Sequence, residues 1–525
     1  MLTQTRKFLA HPPAPWLERL SLVGIGLGIL VRLVQYLSNR SLWFDEVSLA
    51  LNLLERDYLR LLQALDYNQA APPLFLWVEK FLMDVWGTHE YALRLFPLLG
   101  GLLSLWLYYR FTRQFARGWT RPIALWLFAM QSYIVYFAGE TKPYSWDVAL
   151  GLWLFMVVIS LDTIKPRLNR LATAAVLGAA SIWLAFPSIF VMAGVEGGNI
   201  VKLRLWQAPW SQIKAFWVRR IPLYSVWVAS LGCLYFGIIR QTLAETGLSD
   251  GWASRYPDSW FDILWLLDSM SRFFYRPMGF SSPADGIAIV AFLTGVVCLY
   301  RNQRSHLLYL GAPFIANLVA SYLHKYPFRE RLVLFLVPYG LIIVAEGIVF
   351  WLSRWNKRPR ILSLISVIMA VGLIIMPVGK SLRNMVQPAR FHFDHVRPAM
   401  EYVQAQWQPG DKLYVFSRAR LQFSYYNHRF NFSDADTVLS TLDVGIKKLE
   451  SDDLDQYAQE LTSLKAGPLQ GKSRVWMLLA RKKPNAEDDI VERLNQLAIP
   501  LERKQFPGAM VGLYDLAQSA FQGAN

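Results

Sequence analysis

The sequence predicts a polytopic α-helical membrane protein, and three observations lead to this class. The chain has 525 residues, of which 54% are hydrophobic. Its apolar runs recur along most of the chain and approach the roughly 20 residues that a helix needs to cross a bilayer. The 21 Trp, 24 Tyr and 31 Phe suit the aromatic belts at the two membrane surfaces. A soluble protein of this length is not expected to be so apolar.

The net charge of +16 fits the same class. Basic residues hold cytoplasmic loops against the inner leaflet, so the charge is explained by membrane topology and predicts no nucleic-acid partner. Cys233 and Cys298 both lie in apolar runs, and we interpret them as core residues. The sequence contains no Cys-x-x-Cys motif, so it predicts neither a disulfide framework nor a zinc site.

The positions of the basic residues predict eleven spans, with the N-terminus in the cytoplasm. Arg6, Lys7 and Arg19 precede the first apolar run, which we interpret as a retained signal anchor. With this orientation, the strongly basic connections fall on the cytoplasmic side, apart from the cluster 324–331. The predicted spans are 20–37, 91–109, 122–138, 145–161, 171–186, 189–201, 221–239, 286–300, 307–323, 332–352 and 361–378.

The first external loop, residues 38–90, is predicted to contain helices in the membrane interface. Val47–Leu65 has apolar residues at helical spacing and is typical of an amphipathic interfacial helix. Pro72–Trp86 is apolar but short and carries three charges. Counting it as a span would place the arginine-rich loop 110–121 outside, against the charge rule. We therefore predict that it lies along the outer surface.

The composition changes near residue 380, which predicts two domains. Residues 1–379 form the transmembrane domain. In residues 380–525, strand-like runs such as Lys412–Phe416 and Val475–Ala480 alternate with helical patterns. This alternation predicts a small α/β domain, on the extracytoplasmic side by the topology above.

The motif Trp43-Phe44-Asp45-Glu46 places two adjacent carboxylates between bulky aromatics at the membrane edge. Acidic groups in such a place are costly to desolvate and need a reason. A carboxylate in a partly apolar site is a good general base for a sugar or lipid hydroxyl. The alternative is that Asp45 caps the helix that follows.

Two further motifs place charges at the outer side. In Glu140-Thr141-Lys142-Pro143-Tyr144, Lys142 could hold a phosphate as a point charge, while Glu140 could orient Lys142 or bind a metal. The alternative is a proline-containing turn whose charges face water.

The segment 324–331 opposes the charge rule, because it places His324, Lys325, Arg329 and Arg331 outside. Such a cluster predicts an anionic ligand, for which a phosphate is suited. Snorkelling to lipid headgroups is the alternative. Three other charges near the outer boundary could line the cavity, namely Arg32, Glu79 and Arg94. Arg32 and Arg94 could equally snorkel.

Taken in order, these motifs resemble those of the polyprenyl-phosphate-sugar-dependent glycosyltransferases of the GT-C fold. The most similar branch is the bacterial one that includes the lipid A aminoarabinose transferase, which is related to the protein O-mannosyltransferases. The resemblance covers about residues 20–378. The matching motifs are Trp43-Phe44-Asp45-Glu46, Pro72-Pro73-Leu74 followed by Gly87 and Arg94, Glu140-Thr141-Lys142-Pro143-Tyr144, and Tyr326-Pro327-Phe328-Arg329-Glu330-Arg331.

The resemblance implies an inverting hexosyl- or pentosyltransferase of the bacterial inner membrane. Its donor would be a polyprenyl-phosphate-linked sugar, and its acceptor a hydroxyl of a lipid, glycan or protein. Asp45 would be the catalytic base, with Glu46 beside it. The residues expected to bind the substrate or its lipid phosphate are Arg94, Glu140, Lys142, Tyr144, His324, Lys325, Arg329 and Arg331.

The chain departs from the family pattern in two places. Ala71 stands where relatives often carry His or Lys before the Pro-Pro pair. Lys142 stands where the family has Arg, so bidentate donation to a phosphate is lost. No cofactor is predicted; because metal dependence varies within the fold, a divalent metal stays open.

Two other functions remain as alternatives. A transporter or flippase for lipid-linked saccharides would use the same external cations without chemistry. Transport requires polar groups at mid-membrane, often on broken helices, and the spans have few ionisable residues at their centres. A non-catalytic scaffold or sensor built around the external domain is the third hypothesis.

Overall fold

A computed structural model describes residues 15–245, 248–353, 360–386, 394–442, 451–480 and 486–517. Arg6 and Lys7, on which the predicted cytoplasmic N-terminus partly depends, lie outside the described residues. The sequence also predicts a polar helix over 446–464, and its start lies outside the described residues as well.

Helices fill the described chain up to Val386, and each of the eleven predicted spans falls on helical segments. The chain is a multi-pass helical membrane protein, as predicted. The helices are α1 (Pro15–Leu37), α2 (Phe44–Glu55), α3 (Pro73–Trp86), α4 (Glu90–Phe115), α5 (Thr120–Met130), α6 (Ser132–Phe137), α7 (Tyr144–Ile159), α8 (Leu168–Leu184), α9 (Ser188–Lys202), α10 (Trp210–Leu234), α11 (Arg240–Glu245), α12 (Leu248–Ala253), α13 (Ile263–Tyr275), α14 (Ala284–Asn302), α15 (Arg304–Tyr322), α16 (Val337–Ser353) and α17 (Arg360–Val386).

By length and composition, six helical segments of the described chain can cross a membrane. Two more apolar helices, α7 and α8, are shorter. The count of eleven spans stays a prediction. The six segments are Pro15–Leu37, Glu90–Phe115, Trp210–Glu245, Ala284–Asn302, Glu330–Ser353 and Ser363–Val386.

One predicted span, 122–138, is broken into α5 and α6 at Gln131. The backbone of Gln131 is extended, with φ −65° and ψ 123°. The buried guanidinium of Arg32 donates to the carbonyl of Ala129 at 3.0 Å and to that of Gly28 at 2.9 Å. A cation at the C-terminal turn of a helix satisfies a carbonyl and complements the helix dipole. Arg32 therefore supports the break.

The first external loop differs from its prediction. Helix α2 ends at Glu55, and the side chains from Glu46 to Leu53 are all buried. The helix expected over 47–65 therefore ends ten residues early, and residues 46–53 lack the exposed polar face of an amphipathic helix. Helix α3 lies where a helix was predicted, with Pro73 at its first position and Gly87, at φ 91°, just after its end.

A buried polar network joins three of the membrane helices. Glu196 of α9 is ion-paired with Arg220 of α10 and accepts hydrogen bonds from Asn199 at 2.7 Å and from Tyr224 at 2.9 Å. Tyr309 of α15 donates to Asn199 at 2.8 Å. Because each buried charge has partners, this network lowers the cost of ions inside an apolar bundle.

The chain divides into two compact units. The first comprises residues up to Ser38 and from Leu53 to Val386. The second combines Asn39–Asn52 with the residues from Gln387 onward. The sequence predicted a division near residue 380, but it did not predict that the segment bearing Asp45 would group with the C-terminal residues.

The C-terminal part of the second unit is built around a five-stranded mixed sheet in the order β2-β1-β3-β5-β4. Strand β1 is parallel to β2 and β3, while β5 is antiparallel to β3 and β4. This confirms the predicted small α/β fold. The strands are β1 (Lys412–Val415), β2 (Thr437–Leu439), β3 (Val475–Ala480), β4 (Ile499–Phe506) and β5 (Ala509–Asp515), and the helices are α18 (Val396–Ala405), α19 (Arg420–Phe430), α20 (Ser451–Ala466) and α21 (Ala486–Leu497).

Burial explains which strands the sequence revealed. Every residue of β3 is buried, and its apolar run predicted a strand. Strand β4 lies at the sheet edge and is mostly exposed, with Glu502, Arg503 and Lys504 in a row. Charges on an edge strand discourage its pairing with other chains. Such a strand lacks the alternating or continuous apolar pattern by which strands are recognised in a sequence, so β4 was not predicted.

The carboxylate of Glu460 joins α20 to β1 and to the segment after β2. It accepts hydrogen bonds from the hydroxyls of Tyr414 at 2.5 Å and Ser440 at 2.7 Å, and from the Thr441 N–H at 2.6 Å. Burial acts to raise the pKa of this carboxyl, but the hydrogen bonds outweigh it and hold the pKa below the usual value. The ionised carboxylate therefore stabilises the folded domain.

We expect this stabilisation to depend on pH. Because the folded pKa is lowered, it is fully present above the unfolded pKa of about 4.3 and is lost as pH falls through the folded pKa. Hydrogen-exchange protection factors of β1 should fall on acidification in the wild type. In Glu460→Gln they should be lower at neutral pH and less dependent on pH. Glu492→Gln, which alters an exposed acid on α21, is the control, and an equal effect there would contradict the assignment.

Candidate active site

The start of helix α2 determines the environment of the two predicted catalytic acids. The Val47 N–H donates to the Trp43 carbonyl at 2.9 Å, so Trp43 is the N-cap. Glu46, three residues later, accepts from the Trp43 N–H at 3.3 Å. This is the carboxylate half of a capping box. The capping alternative for Asp45 is therefore wrong, because the acid that caps is Glu46.

Asp45 and Glu46 consequently differ in environment. Glu46 is fully buried, whereas Asp45 is half-buried in the first turn of α2. A negative charge in the first turn is stabilised by the unpaired N–H groups and the helix dipole. Of the pair, Asp45 is the acid more accessible to a substrate. Glu46 would have to leave its cap to act, so its catalytic role stays a prediction with less support.

Two residues of the C-terminal domain hold the segment that precedes α2. The Leu42 N–H donates to the hydroxyl of Tyr426 at 2.7 Å, and Arg397 donates to the Asn39 carbonyl at 2.7 Å. Tyr426 lies in α19 and is fully buried. The sequence could not reveal this contact, since Leu42 and Tyr426 are 384 residues apart. The predicted base therefore lies in a segment that the C-terminal domain positions.

The second motif, 140–144, is buried in the first unit. Glu140 is 0% exposed and Lys142 is 4% exposed, so the alternative of a turn facing water is wrong. The Lys142 ammonium donates to the side-chain carbonyl of Gln69 at 2.5 Å. A buried ammonium in a membrane protein is costly and marks a functional site by default.

Gln69 was missed by the sequence reading. It follows Tyr67 and Asn68, whose φ angles are 61° and 52°. Consecutive non-glycine residues in this region are uncommon, and such strain clusters at ligand sites. The only sequence signal was Asn68, because asparagine tolerates this conformation. Gln69 also lies two residues before Ala71, where the family pattern expects a His or Lys.

Aromatic contacts join α3, α4 and α7 near this motif. The ring centroids of Phe75 and Phe96 are 5.7 Å apart, and those of Phe96 and Trp146 are 4.5 Å apart. Trp146 also donates to the Phe96 carbonyl at 2.9 Å. Arg94, predicted to bind substrate, lies on α4 two residues before Phe96 and is buried. Glu79 of α3 is buried too.

The residues of the third predicted constellation have different neighbours. Arg331 lies over the ring of Tyr144, with 5.6 Å between the guanidinium carbon and the ring centroid. It therefore belongs with the second motif. We call Gln69, Glu140, Lys142, Tyr144 and Arg331 the Lys142 cluster.

The other cations of that constellation have different surroundings. Arg329 is ion-paired with Asp268 of α13 at 2.9 Å. The ring of His324 stacks on that of Tyr256, with centroids 5.0 Å apart, and its Nε2 is 2.9 Å from the Pro257 carbonyl. Lys325 is exposed. The contacts of Arg329 and His324 are thus with residues outside the Lys142 cluster, and the binding roles of these three side chains stay predictions.

The Lys142 cluster has the chemistry of an anion site. An ammonium provides a point charge, and a guanidinium provides planar donors that match phosphate oxygens. Both act more strongly in a buried place than in water. Within the described part of the chain, no group of three or more His, Cys, Asp or Glu side chains is placed to hold a metal ion.

Comparisons with known proteins give a fold likeness only. No protein-family model and no curated protein matches the sequence. The fold is similar to that of ArnT from Cupriavidus metallidurans bound to undecaprenyl phosphate, at 12% identity over 94% of this chain and 97% of that chain, with a TM-score of 0.48. It is also similar to AglB from Archaeoglobus fulgidus in complex with an inhibitory peptide and a dolichol phosphate, at 10% identity over 96% of this chain and 74% of that chain, with a TM-score of 0.45. AglB is an archaeal oligosaccharyltransferase.

The hydroxyl of Tyr426 can be tested as a support of the α2 segment. Tyr426→Phe keeps the ring but leaves the Leu42 N–H without this acceptor, at a cost of about 1–3 kcal/mol if the group stays buried. We expect faster hydrogen exchange in residues 42–47. Tyr425→Phe, on a neighbouring buried tyrosine of the same helix, is the control. Unchanged exchange in Tyr426→Phe would mean that the hydroxyl does not hold the segment.

Proposed function

We propose that this chain is a glycosyltransferase that moves a sugar from a polyprenyl phosphate to an acceptor hydroxyl at the extracytoplasmic face. The observation that carries the proposal is the buried Lys142 cluster. Lys142 is 4% exposed, and its ammonium donates a hydrogen bond to the side chain of Gln69. The burial of this charge is explained if it binds an anionic lipid headgroup. If this position only filled the protein interior, an apolar residue would pack there without the desolvation cost of a lysine.

In the proposed reaction, Asp45 removes the proton from the acceptor hydroxyl as its oxygen attacks the anomeric carbon. The bond from that carbon to the phosphate oxygen breaks, and the lipid phosphate leaves with the electron pair. Lys142 and Arg331 stabilise the charge that develops on this phosphate. A single displacement inverts the anomeric centre. No nucleotide is needed, because the lipid phosphate is the leaving group.

The sugar is a hexose or pentose, and the acceptor a lipid, glycan or protein. The proposed location is the bacterial inner membrane, with the N-terminus in the cytoplasm and the C-terminal domain outside. This orientation comes from the distribution of basic loops. The motif order supports the donor class, since the lipid phosphate is what the GT-C family members it resembles use.

A lipid-linked saccharide transporter is the second candidate, and one observation favours it. The predicted span 122–138 is broken at Gln131, and the side-chain amide of Gln131 is buried without a hydrogen-bond partner among the described residues. Transporters often place such breaks at their binding sites. However, Arg32 already donates to the Ala129 carbonyl just before this break. The break at Gln131 therefore has a structural explanation that requires no ligand.

The catalytic role of Asp45 is tested by Asp45→Asn, which preserves size and removes the base. We expect sugar transfer to fall by about 10²- to 10⁴-fold, the usual contribution of a general base. The assay offers purified protein a panel of polyprenyl-phosphate sugars and follows freed lipid phosphate and glycosylated product by mass spectrometry. Glu55→Gln, which alters an exposed acid at the other end of α2, is the control.

Each outcome of this assay has a meaning. Equal release by the wild type and Asp45→Asn would move the base to another carboxylate, with Glu46 and Glu140 next. If no donor released its sugar, transbilayer movement of the same lipids would be measured in vesicles. Movement without transfer would replace the glycosyltransferase by the transporter.

The Lys142 cluster is tested by comparing two lysines that carry the same charge. Lys142→Gln should lower kcat/KM for the lipid donor by roughly 10²-fold, because a preorganised cation at the leaving group is lost. Lys325→Gln removes an exposed charge and should change it by less than about threefold. Similar losses of kcat/KM in both variants would show that the two lysines act only by general electrostatic attraction of the donor. Lys142 would then not belong to a specific phosphate site.

A further inference from the structure

The first unit contains a second basic site, away from the Lys142 cluster. The C-terminal ends of α4 and α7 and the N-terminal end of α8 line an open cavity of about 370 Å³. Its lining combines two arginines with tryptophans and apolar side chains, and the described lining contains no acid. The lining includes Trp106, Arg110, Trp153, Ser160, Arg170 and Thr173.

All three helix ends lie on one predicted side of the membrane. The charge rule places the connection after α4 and the connection between α7 and α8 in the cytoplasm. Because these ends line one cavity, the predicted topology and the packing of the helices agree. The cavity therefore lies at the inner surface, whereas the proposed transfer chemistry is at the outer one.

The two arginines retain donors for a ligand. The Arg110 guanidinium lies over the ring of Trp106, with 5.6 Å to the centroid. Arg170 donates to the Ser160 carbonyl at 3.1 Å. A guanidinium has five N–H donors, and both side chains are exposed. Neither arginine has an ion-pair partner among the described residues.

The apolar part of the lining is also open. Trp106 is 53% exposed and Trp153 is 40% exposed. Tryptophans at the membrane surface lie at the level of the headgroups, with the acyl chains beginning just below. A ligand that contacts both the arginines and the apolar side chains of this cavity must be anionic at one end and apolar at the other.

We propose that this cavity binds an anionic phospholipid of the inner leaflet. Arg110 and Arg170 bind the phosphate, and the acyl chains pack along Trp106 and Trp153. Basic pockets between membrane helices on the cytoplasmic side are suited to such headgroups. The proposal does not depend on the proposed transferase activity.

The test measures lipid binding to the full-length protein in detergent by native mass spectrometry. The probes are phosphatidylglycerol and phosphatidylcholine with the same acyl chains. We expect the wild type to prefer phosphatidylglycerol. Attraction of a net anionic headgroup by a surface arginine corresponds to about fivefold in affinity, so Arg110→Gln with Arg170→Gln should weaken phosphatidylglycerol binding about thirtyfold. Phosphatidylcholine, whose choline cation cancels the phosphate charge, should lose much less and the preference between the two lipids should disappear.

The control is the double variant Arg301→Gln with Arg304→Gln. These arginines are exposed and lie on another predicted cytoplasmic connection. Arg304 also stacks on an aromatic ring, with 4.7 Å to the Tyr300 centroid, and donates to the Tyr300 carbonyl at 3.1 Å. The control therefore removes the same charge from similar local contacts. An equal loss in both double variants would overturn the site in favour of general attraction to a basic surface.

A second variant tests the cavity without changing charge. Thr173→Trp places a large side chain in it from the exposed face of α8. We expect weaker phosphatidylglycerol binding with both arginines present. Unchanged binding in Thr173→Trp, or equal binding of the two lipids by the wild type, would overturn the proposal.

Discussion

The buried ammonium of Lys142 is the constraint on which the surrounding part of the first unit depends. A positive charge removed from water requires polar partners, and the surrounding segments supply them. The loop 67–69 adopts left-handed backbone angles just where it presents Gln69 to this ammonium. The aromatic contacts of Phe75, Phe96 and Trp146 then join α3 and α7, the helices that follow these two residues, to α4. The unusual backbone of the loop is thus explained by one charged group.

The two adjacent acids of the first external loop illustrate how local structure separates similar residues. In the sequence, Asp45 and Glu46 are equivalent candidates for a base. The helix start makes them different, because a capping box uses the acid at the third helical position. Glu46 occupies that position and is buried, while Asp45 is one residue earlier and half-buried. The order of Asp45 and Glu46 in the sequence thus determines which of the two carboxylates is accessible.

Patterns that depend on neighbouring residues were predicted well. Apolar runs located helices at all eleven expected spans, and the alternation beyond residue 380 indicated the small α/β domain. Features that depend on distant partners were not predicted. The break at Gln131 has no Pro or Gly to mark it and is supported by Arg32 from another helix. The role of Gln69 depends on its hydrogen bond with Lys142, which lies 73 residues later in the chain. The pairing of Arg329 with Asp268 was not predicted either, because Asp268 lies on a helix some 60 residues earlier.

The grouping of Asn39–Asn52 with the C-terminal domain has a consequence for how the protein is made. Leu42 leaves the ribosome early, but its partner Tyr426 is 384 residues further along. At synthesis rates of about 5–20 residues per second, the two are separated by roughly 20–80 s. During that interval α2 has its own cap but not its support from the C-terminal domain. The segment bearing the proposed base is therefore completed only after the membrane helices have been synthesised.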